Sequence, residues 1–355
     1  MRPLGEEGNT VVLDTRAQRE LVAAANTRED FTMTLASTPR VTMLASLAAA
    51  ALASGNALAT IGPTGDADIY AIAIDPTAPW ILYVGATQGI FKTTDGGQTW
   101  SPSGEGITGQ IYSNMVVDPT DPQKVYLGTN GYGLYRSTDG GASWSHGEGS
   151  YHQTVKSIAI DPDQANVLSM GAFRDIYRSF DYGANWGPLH LFDFATGVLS
   201  IAHDSVSTNT MYIGTNTHGL MKSTDRGYNW DFTSAGQITT VVAIDPSDHN
   251  VVFGSGFTAL MKSTNAGATW RTVLPVEYGS AVVFDTVNLG AVYASFSYDG
   301  VYVSGDDGES WSSANVGLPT VQINTLAIDS ADGIVYAGTE GYGIYVSYDG
   351  GQTWN

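Results

Sequence analysis

The sequence predicts an all-β fold in which four-stranded antiparallel units repeat around an axis, and three observations carry that prediction. The first is an eight-residue phrase, S/T-x-D-x-G-x-x-W, written seven times. "TTDGGQTW" ends at Trp100, "STDGGASW" at Trp144, "SFDYGANW" at Trp186, "STDRGYNW" at Trp230, "STNAGATW" at Trp270, "SGDDGESW" at Trp311 and "SYDGGQTW" at Trp354. The second is its period. The central position falls at Asp95, Asp139, Asp181, Asp225, Asn265, Asp306 and Asp349, at spacings of 44, 42, 44, 40, 41 and 43 residues. Such a period belongs to stacked or radial supersecondary units. The third is the texture between phrases: short β-branched runs at regular spacing, separated by Asp-Pro, Gly and Ser turn residues, which is the all-β pattern.

In chain order, the first sixty residues differ from the rest. Residues 1–40 read as a polar N-terminal extension with a helical stretch, "TRAQRELVAAANTRED". Residues 41–59, "VTMLASLAAAALASGNALA", follow Arg40 and end in Ala57-Leu58-Ala59, the layout of a secretory signal with its cleavage site. The apolar run is shorter than the about 20 residues a membrane span needs. A signal belongs at an N-terminus, so a true start at Met33 accounts for the preceding residues; the alternative is a genuine, loosely structured extension. Residues 60–355 hold the repeats.

One repeat, Ile238 to Leu274, shows the unit. Val241 to Ile244 form strand one, stopped by Asp245-Pro246, where Pro fixes φ and Asp caps its own turn. Val251 to Phe253 form strand two, Leu260 to Ser263 strand three and Thr269 to Leu274 strand four. Strand one recurs, ending at Asp75, Asp118, Asp161, Asp204, Asp245, Asp285 and Asp329. Small, nearly continuous apolar strands fit the crowded middle of a radial array, so seven repeats predict a seven-bladed β-propeller. The seventh fourth strand begins where the sequence reaches Trp354-Asn355. Either "TIGPTGDA" or residues upstream complete that blade, or the sequence is a fragment of a longer one.

Fifteen Lys and Arg against 35 Asp and Glu give a net charge of −20, the opposite of a nucleic-acid binder's footprint. No cysteine is present, which removes disulfides, thiolate metal sites and cysteine nucleophiles. No His, Asp and Glu cluster has metal-ligand spacing, and no Gly-rich loop opens a helix to hold phosphate. The sequence therefore calls for no metal and no cofactor. His203 replaces Ile at the end of a first strand and reads as a hydrogen-bonded core residue.

The seven phrases resemble the Asp box, or bacterial neuraminidase repeat, of sialidases, two-propeller xyloglucanases, sortilins and a photosystem II assembly factor. The resemblance spans residues 68–355 and implies a turn between strands three and four, with the Asp accepting backbone N–H bonds and the Trp packing between sheets. Asn265 keeps an acceptor but loses the charge, which predicts a weaker fifth box. A sialidase-type site is excluded: it requires three arginines and an Arg-Ile-Pro motif, whereas Arg174 alone falls on the predicted binding face. The phrase "VYLGTNGYGLYRSTDGGASW" is most similar to the xyloglucanases. In those enzymes a catalytic aspartate occupies the second-to-third-strand loop of blade one, where this chain has Gln88. Glutamine cannot act as the base that inverting hydrolysis requires.

In propellers, ligands meet the face formed by the loops between strands two and three and those entering strand one. Those loops offer Tyr132, Phe173, Arg174, His218, Phe257, Tyr298, Asp299, Glu340 and Tyr342, with Tyr151 and Tyr278 from the strand-one loops. Rings suit the apolar faces of sugars and polar groups their hydroxyls; Tyr and Arg also suit protein interfaces. Asp299 and Glu340 are the best substitute carboxylate pair for catalysis. The competing reading takes the repeated Gly and Tyr, as in "GYGLY" and "GYGIY", as packing residues of the blade. The sequence thus predicts a monomeric, secreted or periplasmic module that recognises an extracellular polysaccharide or protein, with no nucleic acid and no stable membrane insertion. The alternative is a xyloglucanase-type glycoside hydrolase or its N-terminal propeller.

Overall fold

The computed structural model describes residues 66–355, apart from 109–110, 174, 192–195, 234, 236–238 and 321. The N-terminal extension, its helical stretch and the signal-like segment lie outside the described residues. Seven antiparallel sheets follow one another in the chain. Six have four strands in sequential order, and the seventh has three, Ile323–Asp329, Ile334–Thr339 and Ile344–Ser347. There, Asn355 exchanges two backbone hydrogen bonds with Val346, 2.9 and 3.0 Å. That is the register at which Ser101 opens strand four opposite Lys92 in blade one.

The first strands pack against one another blade by blade, and that of blade seven packs against that of blade one, closing a ring. Gly343 N–H donates to the Ala67 carbonyl at 2.9 Å across this closure, as Gly133 N–H donates to Gln153 between blades two and three. Second strands such as Leu82–Ala86 and Leu168–Ala172 are buried throughout. Four of the six fourth strands, in blades one, two, four and six, are only two residues long and largely exposed. In the fifth blade the strands run Thr239–Ile244, Val252–Gly256, Leu260–Ser263 and Arg271–Leu274. Strand three matches the sequence reading, while strands one and two extend further and strand four starts two residues later.

The core lies between blades. Tyr83 and Ile90 of blade one pack against Met115, Leu127 and Trp144 of blade two, and Tyr293 and Val301 of blade six against Leu326, Val335 and Trp354 of blade seven. A side chain such as Leu127, fully buried, contributes about 1.5–3 kcal/mol. The seven Asp residues ending the first strands are at most 6% exposed. Their Oδ1 atoms cap the following turn: Asp75 Oδ1 accepts N–H bonds from Thr77 and Ala78 at 2.8 and 3.1 Å, while Asp161 Oδ2 pairs with Arg226 at 2.9 Å and Asp118 Oδ2 has no partner.

The Asp box is a turn between strands three and four. In blade two, Ser137 Oγ donates to Asp139 Oδ1 (2.7 Å) and accepts the Gly141 N–H (2.8 Å). Asp139 also accepts Ser143 N–H at 2.9 Å and Ser143 Oγ–H at 2.6 Å. The Ser143 bonds, with help from Ser137, hold the Asp139 carboxyl down at about 2. Asn265 keeps this geometry without the charge, its Oδ1 accepting Thr269 N–H at 2.8 Å and its Nδ2 donating to Thr269 Oγ1 at 2.8 Å. Tyr182, Arg226, Ala266 and Asp307 occupy the box's fourth position with φ between 53° and 61°, where an L-residue is strained.

Neighbouring blades are joined through the boxes. Lys92, in strand three of blade one, donates to the Gly140 carbonyl of the next box at 2.7 Å, beside the Tyr83 hydroxyl at 2.9 Å. Lys222 and Lys262 reach Ala266 and Asp307 in the same way. The chain leaving strand four adds a clip: Trp144, Trp186 and Trp354 donate their N–H to Glu105, Glu148 and Val316 at 2.8–2.9 Å. Gly106, Gly149 and Gly317 make the approach possible. Each has φ above 80°, and a Cβ on any of them would meet a Trp carbonyl at 2.1–2.4 Å.

One expectation fails. His203 is not hydrogen-bonded: both ring nitrogens are buried without a partner. Burial pushes the imidazole down to about 4, with Arg178 and Arg226 acting the same way against Asp161. Isoleucine's slot in the sheet offers a volume for the ring but no acceptor.

Candidate functional site

Antiparallel order puts the starts of strands one and three and the ends of strands two and four on the face opposite the boxes. Three of its loops share a closure. Thr129, Thr215 and Thr339 each donate a side-chain hydroxyl to the carbonyl four residues on, at Gly133, Gly219 and Gly343 (2.6–2.9 Å). The residue before each glycine is Tyr132, His218 or Tyr342, so the same backbone loop presents a tyrosine in blades two and seven and a histidine in blade four. Tyr132 and Tyr342 are 49% and 47% exposed. The tyrosines of "GYG" therefore stand out from the blade and are not part of its core.

Between blades five and six the rings make contact with one another. Phe257 lies 5.3 Å from Tyr278 in a tilted arrangement, and Tyr278 lies 5.5 Å from Tyr298 edge to face. All three remain exposed, Tyr298 most of all at 74%. Its hairpin is fixed from below. Asn315 accepts Val301 N–H at 2.7 Å and donates to the Asp299 carbonyl at 3.0 Å, over a Gly300 whose φ is 78°. Tyr278 itself has φ of 58°, a conformation that costs a non-glycine residue about 1–2 kcal/mol. Its carbonyl accepts Ser297 N–H at 2.9 Å, tying the two loops together.

A second aromatic group sits at blades two and three. His146, in the fourth strand of blade two, stacks on Tyr151 at 3.6 Å and meets Tyr135 edge-on at 5.0 Å. Its Nε2 hydrogen-bonds the Tyr132 carbonyl, which places Tyr132 and Tyr151 on one group. His152, the next residue, is another non-glycine at positive φ, 62°. In blade four, His218 meets Phe232 edge-on at 5.4 Å.

Asp299 and Glu340 fall in the strand-two-to-three loops of adjacent blades, with no hydrogen bond between them. Glu340 is fixed through its backbone, its N–H donating to the Gln322 carbonyl at 2.9 Å. Arg174 lies outside the described residues. Among the described residues, no three His, Asp or Glu side chains converge to hold a metal ion.

Sequence reasoning missed one feature of this face. Every first strand carries a register shift at its loop-face end, between Ile69 and Ala71 in blade one and between Val155 and Ser157 in blade three, for example. The extra residue is a β-bulge, a device concentrated beside sites because it re-aims a side chain. Six of the seven shifts are such one-residue bulges, and blade two has a larger irregularity between Ile111 and Met115.

The BNR/Asp-box repeat family model matches residues 91–102. No curated protein matches the chain. Among solved structures, a GH74 xyloglucanase from Xanthomonas campestris is similar over 84% of this chain and 55% of its own, with 20% identity and a TM-score of 0.69. YCF48 bound to D1 peptide matches over 82% of this chain and 96% of its own, with 16% identity and a TM-score of 0.62. The extracellular domain of a one component system from B. thetaiotaomicron matches over 82% and 40%, with 17% identity and a TM-score of 0.64. The chain spans about half the length of the xyloglucanase. At these identities the likeness is one of fold. Seven boxes at a regular period, a closed ring of seven sheets and the family match together identify the chain as a seven-bladed β-propeller of BNR/Asp-box repeats.

Proposed function

We propose that the chain is an exported recognition module that binds an extracellular polysaccharide or protein through its loop face. The observation that carries this reading is the exposed run Phe257, Tyr278 and Tyr298, held in place by a strained backbone and by Asn315. Strain of this kind collects at binding sites because the surrounding fold must hold it there, and nothing in the blade's own packing requires three rings in the solvent. Tyr132, Tyr151, His218 and Tyr342 extend the aromatic character around the ring, and Arg174, Asp299 and Glu340 supply charge. Export rests on residues 41–59, and its product is a chain beginning at Thr60, which the mass of the secreted protein tests.

Alanine at Tyr132, Tyr298 and Tyr342 together is expected to abolish retention in native gels containing xyloglucan or another β-glucan while leaving thermal stability nearly unchanged. Unaltered retention removes the assignment of these residues. A second reading, a xyloglucanase-type glycoside hydrolase or its first propeller, draws on the GH74 fold likeness. Gln88, where those enzymes have a catalytic aspartate, counts against it. Reducing ends assayed in the same gels decide: new reducing ends establish hydrolysis, and retention without them establishes binding alone.

A further inference from the structure

Nine described Lys and Arg residues stand on the propeller, and eight of them have acceptors in the fold. Lys92, Lys222 and Lys262 donate to box carbonyls, and Arg136 to Tyr182. Lys124, Arg226 and Arg271 pair with carboxylates, and Arg178 donates to Ser169. Lys156 has none. It is the bulged residue of the first strand of blade three, between Val155, fully buried, and Ser157, 4% exposed, and it lies beside Ala172 at the loop-face end. The Ser157 hydroxyl is committed to the Ile201 N–H of the next blade at 2.9 Å. Burial alone lowers the ammonium's affinity for its proton; no carboxylate offsets it. A partly desolvated cation without a counter-charge is unfavourable, and it is conspicuous in a chain of net charge −20.

We infer that Lys156 is the anchoring cation for a carboxylate on the ligand, so that the glycan bound by the loop face is one bearing uronic acid residues. The inference rests on the glycan arm of the proposed function and names its substrate class. Exposed rings on the same face accept the apolar faces of sugars, and the single unpaired ammonium, at the loop-face end of the first strand of blade three, selects one acidic sugar among them. The chain's own negative charge repels a dense polyanion, so the uronates are sparse along the polymer. A protein partner's carboxylate is the competing occupant and is an outcome of the test.

The test uses the full chain with its lysines converted to 13C-dimethyl-lysine, the Lys156 resonance being assigned by its loss in Lys156→Arg. Glucuronate, glucose and acetate are the probes. Glucuronate is expected to move the Lys156 signal saturably, at least about tenfold more tightly than acetate, while glucose leaves it in place; tenfold is the scale of one added charge-assisted contact. Lys156→Met, checked for unchanged thermal unfolding, is expected to weaken glucuronate binding by about tenfold or more, and Lys156→Arg by less. No saturable movement with glucuronate overturns the inference. So does equal binding of acetate, which marks a bare carboxylate site of the kind a protein partner fills. If neutral β-glucan still retards the protein when glucuronate leaves Lys156 unmoved, the uronate assignment alone falls. Failure of both removes the glycan reading itself.

Discussion

At the rim of the Asp boxes the same hydrogen bonds recur from blade to blade, with Ser or Thr, Asp and Gly in fixed roles. At the opposite rim the backbone repeats more faithfully than the side chains: one loop geometry carries Tyr132 and Tyr342 in blades two and seven but His218 in blade four. Repetition with identical chemistry marks what every blade needs to fold. Repetition of backbone with divergent chemistry marks where the fold leaves the side chain undetermined, and a ligand can decide it. Substitutions at the two rims should therefore separate stability from binding.

The largest effect is expected at a box glycine. Gly308 has φ of 82°, and a Cβ there would approach the buried Phe253 ring at 2.5 Å. Gly308→Ala combines left-handed strain with overpacking, about 3 kcal/mol in all, or a fall in Tm of about 6–12 °C for a domain of this size. Ligand retention well below the new Tm should be unchanged. A loss of binding at equal stability would mean that the rims are coupled.

His203 tests the one place where the box end of a first strand departs from the pattern. Its folded value, about 4, lies below the ordinary value of about 6.5, so the folded state favours the neutral ring. The stability this represents is complete above pH 6.5 and lost as pH falls from there towards 4, about 3 kcal/mol in total. His203→Ile restores the residue type found in neighbouring blades. It is expected to remove this acid sensitivity and to raise Tm by a smaller margin at neutral pH, because two unpaired nitrogens leave the interior. Thermal melts across pH 4–8 check both.

Much of the fold is legible in the sequence because the box is closed within eight residues: each Asp bonds partners two to four positions away, so the whole unit appears as one phrase. The joints between blades are less legible. The clip that carries Glu105 to Trp144, or the Lys92 bond to Gly140, spans about forty residues and leaves only a glycine or a lysine as its trace. The loop-face residues could be enumerated from strand order. That Phe257 completes a run with Tyr278 and Tyr298, and that Lys156 stands on a bulge without a partner, depends on register and packing between blades, which the alternation of residues does not encode. His203 was misread for the same reason: its slot was visible, but the absence of acceptors around it was not.

Asn265→Asp sharpens the first half of the comparison. The geometry for a carboxylate is already present, with Thr269 N–H 2.8 Å from Oδ1, and charging the acceptor is expected to add about 1 kcal/mol. Because the hydrogen bonds hold the equivalent Asp139 and Asp225 down at about 2, the gain should be full at neutral pH. It should be lost as pH falls below the ordinary carboxylate value. An equal Tm for the two proteins at pH 7 would show that the amide already satisfies the turn.

The smallest expected effect discriminates most directly between the rims, because it places one substitution at the same backbone strain on both. Ala266, in a box, has φ of 53°, and Tyr278, on the loop face, has φ of 58°. Replacing either by glycine relieves left-handed strain of about 1–2 kcal/mol against an entropy loss of about 0.5–1 kcal/mol. Ala266→Gly should accordingly raise stability slightly and leave binding untouched. Tyr278→Gly gains the same backbone relief but removes the ring that joins Phe257 to Tyr298, so any rise in Tm should come with weakened ligand retention. At the box, the strain persists because the turn dictates it. At Tyr278, glycine would fit the backbone better and is not the residue present, so a side chain is being held there against a conformational cost. Unchanged retention in Tyr278→Gly would leave that cost without a function and would move the binding surface towards Tyr132 and Tyr342.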